Sequence, residues 1–215
     1  TFTPIVCNDN NPCTDDTCSP VTGLCTFTND DTNTCSDGNP CTDDTCVAGT
    51  CGSTPGQPKF SFTNAAAIAI PGLLTSGPAS PYPSAITVPS LGGTVTQAAL
   101  TLRGLTHTFP DDLDMLLQGP AGQNLIFMSD AGGSLDVVGT TLTFADSAAG
   151  SLPDSTQIVS GTFRPTNFLT GDTFPAPAPT PSAATTLAVF NGTDPAGPWN
   201  LFIVDDLGGD SGSLS

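Results

Sequence analysis

The sequence predicts an all-β protein, and three observations carry that reading. All 20 acidic residues are aspartate and none is glutamate, so the acids belong to caps, turns and ion sites rather than helix interiors. The chain holds 23 glycines and 21 prolines, which punctuate it too often for long helices. The eight cysteines all fall between Cys7 and Cys51, so a small stapled segment precedes a cysteine-free remainder. The expected division is residues 1–56 and 57–215, with 52–59 as a linker. Net charge is −17 against three basic residues, Lys59, Arg103 and Arg164. Such a surface is soluble and repels nucleic acid and anionic membranes.

The first segment is an internal repeat. Cys7–Cys18 (CNDNNPCTDDTC) recurs as Cys35–Cys46 (CSDGNPCTDDTC), and the two differ only at Asn8/Ser36 and Asn10/Gly38. Cys25 and Cys51 close the units. Its few large apolar side chains (Phe2, Ile5, Val6, Val21, Leu24, Phe27 and Val47) cannot form a core, so covalent and ionic staples are expected to hold it. All eight sulfurs (Cys7, Cys13, Cys18, Cys25, Cys35, Cys41, Cys46 and Cys51) are expected in disulfides, which places the protein in an oxidising compartment. Zinc is disfavoured, because the segment has no histidine and no C-x-x-C pair. Pairing within each repeat is expected. Asp9, Asn11 and Asp16, with their copies Asp37, Asn39 and Asp44, alternate as oxygen ligands do in calcium loops. The alternative is that these residues make Asx-turns beside Pro12 and Pro40. The segment resembles the slime-mould type of cysteine-rich repeat (C-x-D-x-N-x-C-T-x-D-x-C), which implies an extracellular spacer or stalk.

Beyond Lys59, strand signals take over. Val95–Leu102 is rich in Thr and aliphatics; Leu113, Met115 and Leu117 alternate, as do Leu142 and Phe144, and Trp199, Leu201 and Ile203. Turn clusters at 119–122, 132–133 and 195–197 separate these runs. Short strands at close spacing point to a β-sandwich or barrel. Pro175–Pro181 reads as an extended polyproline stretch in a surface loop. Asp146 and Asp205 continue apolar faces, so each is expected at the sandwich rim, since a bare carboxylate inside is costly. With Asp112, Asp114 and Asp130 at loop or strand ends, they form a candidate rim calcium site, set against ordinary turn aspartates.

Three blocks in this region, Leu105–Gly122, Phe144–Ala148 and Asn191–Leu214, resemble the P domain that follows the catalytic domain of subtilisin-like proprotein convertases. The resemblance implies a jelly-roll β-sandwich, and such domains also occur detached from any protease. That pattern would continue through a last strand beyond Ser215; either the sequence is truncated there or a neighbour fills the gap by strand addition. Thr1–Val6 is a candidate donor, weakened by Pro4.

No catalytic constellation is present. His107 is the sole histidine, no G-x-S-x-G elbow accompanies it, and it reads as structural. No apolar run approaches the ~18 residues of a membrane span, and no charged-then-apolar leader opens the chain, so the mature form of an exported protein is expected. The expected function is a non-catalytic, calcium- and disulfide-stabilised structural or adhesive protein of the extracellular space or cell surface, self-associating into a filament. The alternatives are a carbohydrate- or protein-binding module, for which Trp199 and Tyr82 offer few platforms, and an accessory domain of a secreted subtilase. Asn191–Thr193 is a glycosylation sequon, and surface glycans are a possible partner.

Overall fold

The computed structural model describes residues 6–38, 42–56, 59–71 and 75–215. It is all-β. Among these residues the only helical turns are two short 3-10 helices, Pro110–Asp112 and Leu187–Phe190. The chain divides into two compact units, Thr1–Ser61 and Phe62–Ser215.

The first unit is a pair of hairpins. Strand β1 (Thr14–Cys18) pairs antiparallel with β2 (Cys25–Asn29), and β3 (Thr42–Val47) pairs with β4 (Thr50–Pro55). The expected linker at 52–59 is therefore shorter, because residues 52–55 pair with β3 and belong to β4. The two hairpins share a register: Cys18 faces Cys25 in one and Cys46 faces Cys51 in the other. Two disulfides, Cys7–Cys25 and Cys35–Cys51, close each repeat on itself. The third corrects the expected pairing, because Cys13–Cys46 joins one repeat to the other. Loop closures of 18 and 16 residues are worth about 3 kcal/mol each in the chain-entropy description, and the 33-residue closure about 4 kcal/mol. Covalent closure thus stands in for the missing core. Cys18 lies outside these three bonds; Asn39 and Cys41, and the donor-strand segment through Ile5, lie outside the described residues.

The second unit is a sandwich-like pair of sheets. Its strands are β5 (Ile68–Ile70), β6 (Gly77–Pro78), β7 (Ser84–Val88), β8 (Ala99–His107), β9 (Leu113–Gln118), β10 (Asn124–Ser129), β11 (Val137–Ala145), β12 (Gly161–Phe163), β13 (Thr166–Asn167), β14 (Gly197–Asp205) and β15 (Gly212–Leu214). One sheet runs β13-β10-β9-β14-β6, with β7 also on the outer edge of β14; the other runs β12-β11-β8-β15-β5. The strand expected at Val95–Leu102 begins later, at Ala99, and continues to His107. Gly212–Leu214 already forms a strand, seated between β5 and β8.

The alternating residues face one another across the core. Met115, Leu117, Phe127 and Ile203 meet Leu102, Leu105, Leu142 and Phe144, all in one buried cluster. Phe127 and Phe144 touch edge to face at 4.9 Å. Strand β9 is buried through five of its six residues because its outer face is covered too. There Leu116, Ile126 and Phe202 pack against Tyr82, Phe174 and Ala178, and the Tyr82 hydroxyl donates to the Pro175 carbonyl at 3.1 Å. The proline-rich stretch is thus a surface strap over that sheet.

Candidate metal centre

The sheet register builds a carboxylate cluster at one end of the β13-β10-β9-β14 sheet. Strand β10 carries a bulge: Ile126 faces Leu116 and Met128 faces Met115, leaving Phe127 as the extra residue. Ser129 is thereby carried level with Asp114. On its other side Ser129 pairs with Asn167 at the end of β13, and the chain returns to it at Asp172. Asp130, next in line, adopts a left-handed φ of 51°, which aspartate tolerates better than most residues. On the far side of β9, Val204 faces Asp114 and Asp205 faces Leu113, so Asp205 and Asp206 close the same end. The Asp206 amide donates to the Asp112 carbonyl at 3.0 Å.

The geometry poses an electrostatic problem. Ser129 Oγ lies 2.8 Å from Asp114 Oδ1, 2.7 Å from Asp130 Oδ2 and 3.1 Å from Asp172 Oδ2. One hydroxyl has one proton and satisfies only one of three carboxylates. The Asn167 amide donates to Asp172 at 3.3 Å. Among the described residues, no Lys or Arg forms an ion pair with these acids; the close contact of ionisable side chains here is His107 with Asp205. Oxygens of Asp114, Asp130 and Asp172 all lie within 4.8 Å of one another.

Protonation follows from this crowding. Asp114 is pushed up to about 7, first by burial and then by Asp172, Asp206 and Asp130, against the hydrogen bond from Ser129. Asp112 also rises to about 7, by burial and by Asp206, Asp205, Asp210 and Asp111. Asp172, Asp206 and Asp111 are raised above the ordinary carboxylate value, burial being the main cause. Asp112 Oδ2 is buried and accepts no hydrogen bond. Such a set of oxygen ligands without fixed protein cations fits a hard divalent ion such as calcium.

Asp205 and His107 are fully buried and approach at 3.4 Å. His107 Nε2 and the Asp205 oxygens are off the line of a good hydrogen bond. Burial raises the Asp205 carboxyl and His107 partly offsets this. His107 Nδ1 sits 2.9 Å from the Phe109 carbonyl, which anchors the ring.

The structure thus gathers Asp114 and Asp130 and holds Asp112 and Asp205 beside them. Asp146 stands elsewhere: its two oxygens accept the amides of Leu187 and Ala188, both at 2.8 Å, and cap the 3-10 turn there. Sequence reading missed Asp172 and Asp206. Asp172 is 42 residues beyond Asp130 in an ordinary Thr-Gly-Asp turn. Asp206 falls outside the alternation that marked Asp205.

In the repeats, the same oxygens close turns. Asp16 accepts the Asp9 amide at 3.1 Å, and Asp44 accepts the Asp37 amide at 2.9 Å. The Thr14 hydroxyl donates to Asp9 at 2.9 Å, and Thr42 to Asp37 at 3.0 Å. Asn11 accepts the Cys13 amide at 3.1 Å, an Asx-turn, and its own amide reaches the Gly49 carbonyl at 2.7 Å. Asp44 Oδ1 is buried and accepts no hydrogen bond.

Comparison with known families matches the Dictyostelium (slime mold) repeat at residues 6–29 and 34–55. That match covers both hairpins. No curated protein matches the chain.

Proposed function

We propose that the chain is a non-catalytic structural or adhesive protein of the extracellular space, held by disulfides at one end and by calcium in its sandwich, and self-associating into a filament. The observation that carries the calcium reading is the convergence of Asp114, Asp130 and Asp172 on the single proton of Ser129. Three carboxylates so placed repel one another unless protons or a cation intervene, and at neutral pH a divalent cation is the better neutraliser. Asp206 adds negative field beside it. Asp9, Asp16, Asp37 and Asp44 are a second place for cations, which would compete there with the turn hydrogen bonds.

The disulfide-rich repeats support a secreted structural protein. The likeness of the second unit to a convertase P domain supports a jelly-roll module used apart from proteolysis. His107 is fully buried against Asp205 and the Phe109 backbone, which supports a structural role over a catalytic one.

Melting with and without a chelator tests the calcium reading, and electron microscopy of the purified chain with calcium tests assembly. The expected results are a clear loss of thermal stability on chelation and extended polymers with calcium. An unchanged melt, or monodisperse single chains under all conditions, contradicts the respective half.

A further inference from the structure

Asn191-Gly-Thr193 is the single Asn-x-Ser/Thr triplet among the chain's 11 asparagines. It forms a surface turn between the 3-10 helix Leu187–Phe190 and β14. The Asn191 backbone amide donates to the Ala188 carbonyl at 3.0 Å and the Gly192 amide to the Val95 carbonyl at 2.8 Å, while the Thr193 carbonyl accepts the Val95 amide at 2.8 Å. Gly192 takes a left-handed φ of 77°, and a Cβ added there would meet nothing within 4 Å, so the turn projects into open space. The Thr193 hydroxyl donates to the Phe190 carbonyl at 2.6 Å and accepts the Gln123 side-chain amide at 2.9 Å.

The side chain of Asn191 is what sets it apart. The side-chain amides of Asn11, Asn33, Asn64, Asn124, Asn167 and Asn200 each donate to a neighbour in the fold. Asn191 is exposed, and its side chain makes no hydrogen bond among the described residues. The turn is held by backbone bonds and by Thr193, so the Asn191 carboxamide can be substituted without loss to the fold. The turn also lies at the end of the sheet away from the acids. Gln123, which reaches Thr193, precedes β10, and β10 runs from Asn124 to Ser129 in the carboxylate cluster, a span of about 17 Å. A substituent on Asn191 leaves the acidic end open.

We propose that Asn191 is a modification site that carries an N-linked glycan. The proposal rests on the extracellular reading above, because such a sequon is used on the surface loops of exported chains. The co-reactant is a glycosyl donor with a pyrophosphate leaving group. The Asn191 side-chain nitrogen attacks the anomeric carbon of that donor: a C–N bond forms and the anomeric C–O bond breaks. The nitrogen gives up one proton, and the pyrophosphate leaves with the bonding electron pair. No oxidant or reductant is consumed. The fold then keeps the sugar in solvent, since Asn191 has no partner to lose.

The test is peptide mapping of the full chain isolated from its organism of origin, with electron-transfer fragmentation to locate any added mass. The expected result is a glycan mass on Asn191. When variants are expressed in that organism, Asn191→Gln and Thr193→Ala are expected to have the mass of the bare polypeptide, whereas Thr193→Ser, which keeps the hydroxyl, retains the glycan. Asn191→Gln is expected to keep the wild-type circular dichroism spectrum, which separates loss of the acceptor from misfolding. Bare Asn191 on chains recovered outside the cell would overturn the proposal and leave the extracellular reading standing. Bare Asn191 on chains found only inside the cell would overturn both.

Discussion

Asp112 and Asp114 each hold a proton up to about pH 7, against an ordinary aspartate value of 3.8. Their folded-state values are raised, so between roughly pH 4 and 7 the folded chain binds more protons than the unfolded one. The sign follows: without calcium, stability is greatest at the acid end of that window and falls as pH rises through it. Melting from pH 4.5 to 8 in chelator checks this, and a flat profile contradicts it. Saturating calcium is expected to flatten or reverse the slope, because the cation replaces the protons. A second residue-scale prediction concerns His107. Replacing it with alanine leaves the fully buried Asp205 carboxyl without the ring beside it and opens a cavity in the core, a loss on the order of 3 kcal/mol. Chemical denaturation measures that loss, and His107→Gln, which keeps polar atoms and part of the volume, is expected to recover part of it. The sequence marked Asp146 and Asp205 on apolar strand faces as rim residues, yet Asp205 is fully buried against His107. Asp146 shared that pattern with Asp205 but meets two backbone amides, and alternation alone cannot tell a cap from a cluster.

Strands declared themselves where one face is buried and the pattern has period two, as in Leu142-Phe144 and Trp199-Leu201-Ile203. Strand β9 showed the same alternation at Leu113, Met115 and Leu117, yet Leu116 is buried as well, against a strap that comes from residues 174–178. No local signal announces such cover. The bulge at Phe127 is equally invisible in composition, though it sets Ser129 opposite Asp114. At the end of the other sheet, Gly212 lies so close to β8 that an added Cβ would strike the Thr106 carbonyl and sit 2.5 Å from His107 Cδ2. Gly212→Ala is therefore expected to loosen β15 from β8 and lower the melting temperature by several degrees. Hydrogen exchange at the Ser215 amide, which donates to the Arg103 carbonyl, reads the same loosening.

At the scale of the whole molecule, two different solutions to stability occur in one chain. Residues 62–215 bury a large apolar core between two sheets, whereas the repeats, among the described residues, show no such core and rely on three disulfides. The cysteine spacing announced the staples but not their partners, since 18-, 16- and 33-residue closures are all compatible with one sequence pattern. Cys13→Ser combined with Cys46→Ser is expected to destabilise the repeat pair by about 4 kcal/mol and leave the sandwich melt unchanged. Differential scanning calorimetry separates the two transitions.

The calcium assignment stands or falls on the acidic end of the sandwich. Calcium titration by isothermal calorimetry at pH 7.5, on the wild-type chain and on Asp130→Asn, is its most direct test. The expected result is saturable binding in the wild type with proton release, weakened on the order of 10–100-fold in the variant. Equal affinity in both, or no binding in either, would contradict it.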